Sequence, residues 1–208
     1  SGSVAAVRVE KDAAGNTSYE PVPFLVNGGE VTMYSRSNST YMILSNETTF
    51  ADMSGHWARA DVERMAGRYI VQGTPSGKFQ PDDAVTRAEF AALVIRALGL
   101  KASGNEMQRF KDAAEGEWYT SDVQAAAQFG LVTGYEDGSF RPERTITRQE
   151  IAVMVYRAMK LAGTKAAAGD EASFKDQAAI AGWAEASVAA LAGYGIVNGM
   201  ADGSFAPG

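Results

Sequence analysis

Two arginines sit where helix rules disfavour a cation. Arg87 and Arg148 take the second place of Thr86-Arg87-Ala88-Glu89 and Thr147-Arg148-Gln149-Glu150, and each precedes an apolar run. Thr followed three residues later by Glu is a capping box: the hydroxyl accepts from the glutamate amide, and the carboxylate accepts from the threonine amide. Neither bond needs an arginine, and positive charge near a helix N-terminus opposes the helix dipole. A guanidinium beside free helix N–H groups makes a focused anion site. A salt bridge to a nearby carboxylate is the competing reading, and both stay open here.

Three aspartates recur in a fixed setting. Asp52, Asp112 and Asp176 each follow a phenylalanine by two residues, and Trp57, Trp118 and Trp183 come soon after. An aspartate there suits a turn or helix N-cap, or an acceptor for ligand hydroxyls. A tryptophan opening an amphipathic helix reads as half packed and half exposed. Gly73, Gly134 and Gly199 read as suppliers of positive φ after a helix, or as points where a ligand approaches the backbone.

Composition narrows the chemistry. The 208 residues carry 19 Lys and Arg against 25 Asp and Glu, for a formal net charge of −6. That balance opposes broad nucleic-acid binding, which wants a basic surface, but leaves room for a local basic groove. There are no cysteines and one histidine, His56, so a thiolate site or multi-histidine zinc site is excluded. No run of 18 apolar residues marks a membrane span. No cofactor or metal site is expected; Asp137-Gly138-Ser139 lacks the spacing of an EF-hand loop.

The elements that must position these residues come as a repeat. The offset is 61 residues from Trp57 to Trp118, Gly73 to Gly134, Phe79 to Phe140 and Pro81 to Pro142. It is 65 residues from the same places in the second unit to Trp183, Gly199, Phe205 and Pro207. Each unit reads as helix, Gly-rich loop, helix. The first helix of unit one is expected over about Ala58 to Tyr69. The second helices show apolar stripes at Phe90, Leu93, Val94, Ala97 and Leu98, and at Ile151, Met154, Val155, Ala158 and Met159. Such faces are too small to bury alone, and stacked units would share one core. The third unit stops at Gly208, before its Thr-Arg-x-Glu element, and is read as truncated. Arg96 and Arg157, inside the apolar helices, are expected to find partners such as Asp61 or Asp122.

Residues 1–49 differ. Val4 to Glu10, Tyr19 to Val26, Glu30 to Tyr34 and Tyr41 to Leu44 read as short strands, with turns at Gly15-Asn16 and Asn27-Gly28-Gly29. This stretch is a small sheet or the end of a larger β-domain. The expected divisions are 1–49, 50–109, 110–173 and 174–208.

The series Phe-x-Asp, Trp, Ile-Val-x-Gly, Gly-x-Phe-x-Pro and Thr-Arg-Ala-Glu resembles the S-layer homology domain. The resemblance covers Phe50 to Pro207. It implies a mainly α fold, with pseudo-threefold repeats whose Thr-Arg-x-Glu helices form a central bundle. It implies a non-catalytic role at the bacterial cell wall or S-layer: non-covalent anchoring through an anionic secondary cell wall polysaccharide attached to peptidoglycan, often with pyruvylated N-acetylmannosamine. The ligand grooves would lie between units. On that reading Arg87 and Arg148 bind the carboxylate, Asp52, Asp112 and Asp176 take sugar hydroxyls, Trp57, Trp118 and Trp183 line the grooves, and Gly73, Gly134 and Gly199 admit the sugar. Neither nucleic acid nor membrane is an expected partner.

An enzyme is the rival class. A glycoside hydrolase needs two carboxylates about 5–10 Å apart. Every repeated carboxylate here already has a structural explanation, with Glu89 and Glu150 used as caps. The alternative is that this chain anchors a surface hydrolase whose catalytic part lies elsewhere.

Overall fold

The structure is a computed structural model and describes residues 3–35, 37–103, 110–165 and 173–208. Ser1, Gly2 and Arg109, at the edges of expected segments, lie outside them. The chain divides into two compact units. The first holds residues 1–83 and 95–101, the second 84–94 and 102–208.

The first unit opens with strands. β1 (Ser3–Lys11) is the centre of an antiparallel sheet between β2 (Thr17–Pro21) and β5 (Thr40–Asn46). Ala5 of β1 stands opposite Leu44, and Val9 opposite Tyr19. β3 (Phe24–Asn27) and β4 (Glu30–Met33) form a separate hairpin, turned by Gly28 and Gly29 at φ +57° and +88°. That turn needs positive φ at both centres, which glycine adopts without strain. The single strand expected over Tyr19 to Val26 is two strands. Pro21 and Pro23 lack the N–H that a continuous ladder needs. Ala5, Ala6 and Val7 are all buried, so β1 is covered on both faces there.

Helix α1 (Arg59–Gly67) packs against β1. Gly67 permits that approach, since a Cβ there would lie 2.7 Å from the Ser3 Cβ. Asn46 Nδ2 donates to the Gly67 carbonyl at 3.2 Å. Below lies a small cluster of Phe50, Met53 and Ala66 with Val62, Val71 and Phe79.

The remaining helices are α2 (Arg87–Leu98), α3 (Thr120–Gln128), α4 (Arg148–Leu161) and α5 (Gly182–Gly193). In the second unit α4 packs on α5 around Val153, Phe174, Ile180, Val188, Leu191 and Phe205. Both capping boxes form. Glu89 Oε2 accepts from the Thr86 amide at 2.8 Å and Thr86 Oγ1 from the Glu89 amide at 3.2 Å. The Thr147–Glu150 pair does the same at 2.9 and 3.4 Å. The buried face of α2 is not the expected stripe. Ala88, Ala91, Ala92 and Ile95 are buried, while Phe90, Leu93 and Val94 are half-buried.

The expectation of a mainly α fold does not hold. The chain is 32% helical and 16% strand, with five α-helices and five strands among the described residues. Residues 3–46 contribute five strands, and the first two repeats each spend a long Gly-rich loop between their helices. Among the described residues, two helices headed by a Thr-Arg-x-Glu motif are present, α2 and α4. The class is mixed rather than mainly α.

Candidate functional site

Each repeat ties its own loop with one aspartate. Asp52 accepts from the amides of Phe79 at 3.0 Å and Gln80 at 2.7 Å. Asp112 accepts from Phe140 at 2.7 Å and Arg141 at 2.8 Å. Asp176 accepts from Phe205 at 2.6 Å and Ala206 at 2.8 Å. The Gln80 and Phe79 amides hold the Asp52 carboxyl below its usual range, and those of Phe205 and Ala206 do so for Asp176. None of the three aspartates caps a helix through its side chain, as the turn-or-cap reading had it; each reaches about 28 residues along the chain instead.

The neighbouring phenylalanine closes the same loop. Phe50 packs on Phe79, Phe110 on Phe140 and Phe174 on Phe205, with ring centroids 5.7, 5.3 and 5.4 Å apart. The recurring glycines belong to this knot. Gly73, Gly134 and Gly199 are not among the positive-φ residues. A Cβ on Gly73 would lie 2.5 Å from the Phe50 ring, and one on Gly134 would lie 2.6 Å from the Phe110 ring. Close approach of a ring, rather than backbone handedness, is what requires glycine there.

The tryptophans are mostly in solvent. Trp57, Trp118 and Trp183 are 88%, 54% and 60% exposed. The half-packed reading fails most clearly at Trp57, whose ring neighbour is His56 at 5.5 Å. Trp118 meets Tyr119 edge-on at 5.4 Å.

Arg87 is buried, with 4% of its surface exposed. Its Nε donates to the Phe140 carbonyl at 2.9 Å and its Nη1 to Glu150 Oε1 at 2.7 Å. The amides at its helix end are not free, as an anion site there would need. The Arg87 N–H donates to the Arg144 carbonyl at 2.9 Å and that of Ala88 to the Pro142 carbonyl at 3.0 Å. Arg148 is built differently. Its Nη2 donates to the Asn198 carbonyl at 3.3 Å, its guanidinium lies 5.1 Å over the Phe205 ring, and its buried Nε has no partner. Arg157, in α4, donates to the Leu131 carbonyl at 3.3 Å, and Asp61 pairs with Arg64 at 2.7 Å.

Within the second unit these features meet in a cleft of about 620 Å³. Its lining includes Arg87, Gly134, Tyr135, Arg141, Glu150 and Trp183. Of the residues expected from sequence, it therefore gathers Arg87, Gly134 and Trp183. Asp112 holds the loop that carries Arg141. Arg148, Gly199 and Asp176 belong to the corresponding knot of the third repeat, and Asp52, Trp57 and Gly73 to that of the first.

Tyr135 also lines the cleft, and sequence reasoning passed over it. Guanidinium carbons of Arg87, Arg141 and Arg144 lie 4.9, 3.9 and 5.6 Å from its ring centroid. Its hydroxyl donates to Glu150 Oε1 at 3.0 Å, and Arg144 also pairs with that oxygen. Burial pushes the Glu150 carboxyl up, but the Thr147 amide, Arg87, Tyr135 and Arg144 outweigh it and hold it below its usual value. Burial likewise raises the Tyr135 hydroxyl against the pull of Arg87. The available signal was departure from the repeat. Tyr135 matches Thr74 and Met200 at the repeat offsets, and Arg141 matches Gln80 and Ala206.

Comparison with known proteins agrees with the repeat. Residues 49–91, 109–152 and 173–208 each match the family model of the S-layer homology domain. An amylopullulanase of Thermoanaerobacterium thermosulfurigenes is 34% identical over 183 residues, covering 87% of this chain and 10% of that protein. The surface-layer 125 kDa protein of Lysinibacillus sphaericus is 29% identical over 150 residues, 72% of this chain and 12% of that one. The cellulosome-anchoring protein of Acetivibrio thermocellus is 30% identical over 120 residues, 56% of this chain and 27% of that one. The chain thus spans between a tenth and about a quarter of these relatives.

Proposed function

The chain belongs to the S-layer homology domain family, and on that premise we propose that it anchors a larger protein by binding an anionic wall polysaccharide in the cleft beside Arg87 and Trp183. S-layer homology domains anchor surface proteins at the bacterial cell surface, and this chain carries three. The array is an anchor and not a catalyst. We propose that catalytic activity, where the whole protein has one, lies outside these residues; the amylopullulanase relative supports that arrangement.

The carrying observation is the gathering of Arg87, Arg141 and Arg157 with an exposed indole around one cleft, in a chain whose net charge is −6. Guanidinium groups suit carboxylates through paired, charge-assisted hydrogen bonds, and an indole face suits the apolar face of a pyranose. The proposed ligand is of the pyruvylated N-acetylmannosamine type. Arg87, Gly134 and Trp183 are its proposed contacts here, while Arg148, Gly199 and Trp118 are proposed to line further grooves that take uncharged residues of the same polymer. Gly73 and Trp57 are proposed for the first repeat. Asp52, Asp112 and Asp176 are proposed to present their loops and to offer remaining lone pairs to sugar hydroxyls.

The test is sedimentation of the whole chain with wall sacculi, with and without their covalently attached polymer. Retention that requires the polymer is expected. Equal retention on stripped sacculi would move recognition to peptidoglycan itself and overturn the reading.

A further inference from the structure

The three loops share one backbone and differ in what they present. Gln80, Arg141 and Ala206 occupy equivalent places, with φ of +61°, +58° and +55°. Each amide donates to the aspartate of its own repeat, at 2.7, 2.8 and 2.8 Å. The turn before it is also common: the amides of Thr74, Tyr135 and Met200 donate to the carbonyls of Lys78, Ser139 and Ser204 at 2.8, 2.8 and 2.7 Å. Non-glycine residues at positive φ are strained, so each repeat holds this conformation by its clamp. With the backbone constant, the side chains carry the difference. At these two positions the first repeat offers Thr and Gln, the third Met and Ala, the second an aromatic ring and a guanidinium.

Arg141 lines the cleft with Arg87 and Arg157 and keeps much of its donor capacity open. Arg87 is committed to the Phe140 carbonyl and Glu150, Arg144 to Glu150, and Arg157 to the Leu131 carbonyl. Arg141 stacks on Tyr135, donates weakly to Ser139 Oγ at 3.4 Å and stands 3.6 Å from Asp137. Asp137 is itself supplied by the Ser139 amide at 2.9 Å, by Ser139 Oγ at 2.6 Å and by Lys111 at 3.4 Å. The Arg141 side chain is 47% exposed.

We propose that Arg141 is the cation that gives this array its preference for an acidic sugar, and that only the second repeat exercises it. The preference rests on the wall-polysaccharide reading above. A carboxylate-bearing sugar lies in the cleft with its acid group on the Arg141 guanidinium and its ring against Trp183. Tyr135 orients Arg141 by stacking, and Arg87 positions the loop through the Phe140 carbonyl. The chain then takes one acidic residue per molecule, because Gln80 and Ala206 bring no charge to the same place.

The experiment is calorimetric titration of the whole chain with two probes: the 4,6-pyruvyl ketal of methyl N-acetylmannosaminide and its neutral parent. Arg141→Gln is the variant, since Gln80 already holds this backbone in the first repeat. Wild type is expected to prefer the ketal and to bind one per chain. Arg141→Gln is expected to lose about tenfold or more in ketal affinity, the usual scale for a charge-assisted pair, with neutral-sugar affinity and melting temperature unchanged. A variant that keeps the preference, or a wild type that takes two or three ketals, overturns the inference while sacculus binding leaves the anchoring reading standing. Loss of both ketal binding and polymer-dependent sedimentation in the wild type removes both.

Discussion

Arg87 and Glu150 lie 63 residues apart and meet at 2.7 Å, with side chains only 5% and 12% exposed. Both head helices through the same four-residue motif, so the arginine of one motif is the partner of the glutamate of the next. Glu150 thereby serves twice. One oxygen closes its capping box at the Thr147 amide, and the other takes Arg87, Tyr135 and Arg144.

Removing one side of this pair is costly. Arg87→Ala leaves a largely buried carboxylate short of its main counter-charge, and about 3–5 kcal/mol of stability should be lost. Urea unfolding of Arg87→Ala beside Arg87→Met/Glu150→Gln checks this. The double variant should recover much of the loss, because no uncompensated charge remains.

Acid should weaken the same centre. Burial raises the Glu150 carboxyl, but its hydrogen bonds and cations prevail and the folded-state value lies below the usual one. A carboxyl depressed in the folded state adds stability above its unfolded pKa, about 4.3, and that stability is lost as pH falls through the folded value. Melting temperature should hold steady from neutral pH to about that point and drop below it. The drop should be shallower in Glu150→Gln.

The knot glycines should separate by repeat. Alanine at Gly134 puts a Cβ 2.6 Å from the Phe110 ring, whereas at Gly199 the nearest atoms are 3.3 Å away or farther. Overpacking of this kind costs about 1–3 kcal/mol. Gly134→Ala should melt well below wild type, and Gly199→Ala close to it. Equal melting temperatures would contradict the ring-contact account.

Trp183 should matter to binding and not to folding. It is exposed and lines the cleft. Trp183→Ala should unfold within about 0.5 kcal/mol of wild type, as surface changes do. It should also sediment less with polymer-bearing sacculi. A large stability loss would mean that the indole is packing after all.

The repeat and both capping boxes were legible because they are written in residue types at fixed spacing. Three of the five strands were legible one for one, while β2 and β3 were read as a single strand across Pro21 and Pro23. What was hidden depends on partners distant in sequence. Nothing near Asp112 says that its acceptor capacity goes to amides at Phe140 and Arg141. Nothing near Gly134 says that a ring from Phe110 will lie on it. The apolar stripe of α2 pointed to Phe90 and Leu93, while the buried positions are Ala88, Ala91, Ala92 and Ile95. The class was misjudged by weighting repeated helices over long loops and an N-terminal sheet. At the cleft, Arg87 and Trp183 were found through recurrence, and Tyr135 and Arg141 were missed because they do not recur.

The aspartate clamps also set an order of assembly. They close rings of 27, 28 and 29 residues in the three repeats, whereas the Arg87–Glu150 bridge closes one of 63. Chain-closure entropy rises with ring size, by about 0.6 kcal/mol per doubling, so each knot can form within its own stretch before neighbours join. Local contacts of this kind favour fast folding. Damage to a clamp should then slow the refolding limb of a chevron, and damage to the Arg87–Glu150 bridge should speed the unfolding limb.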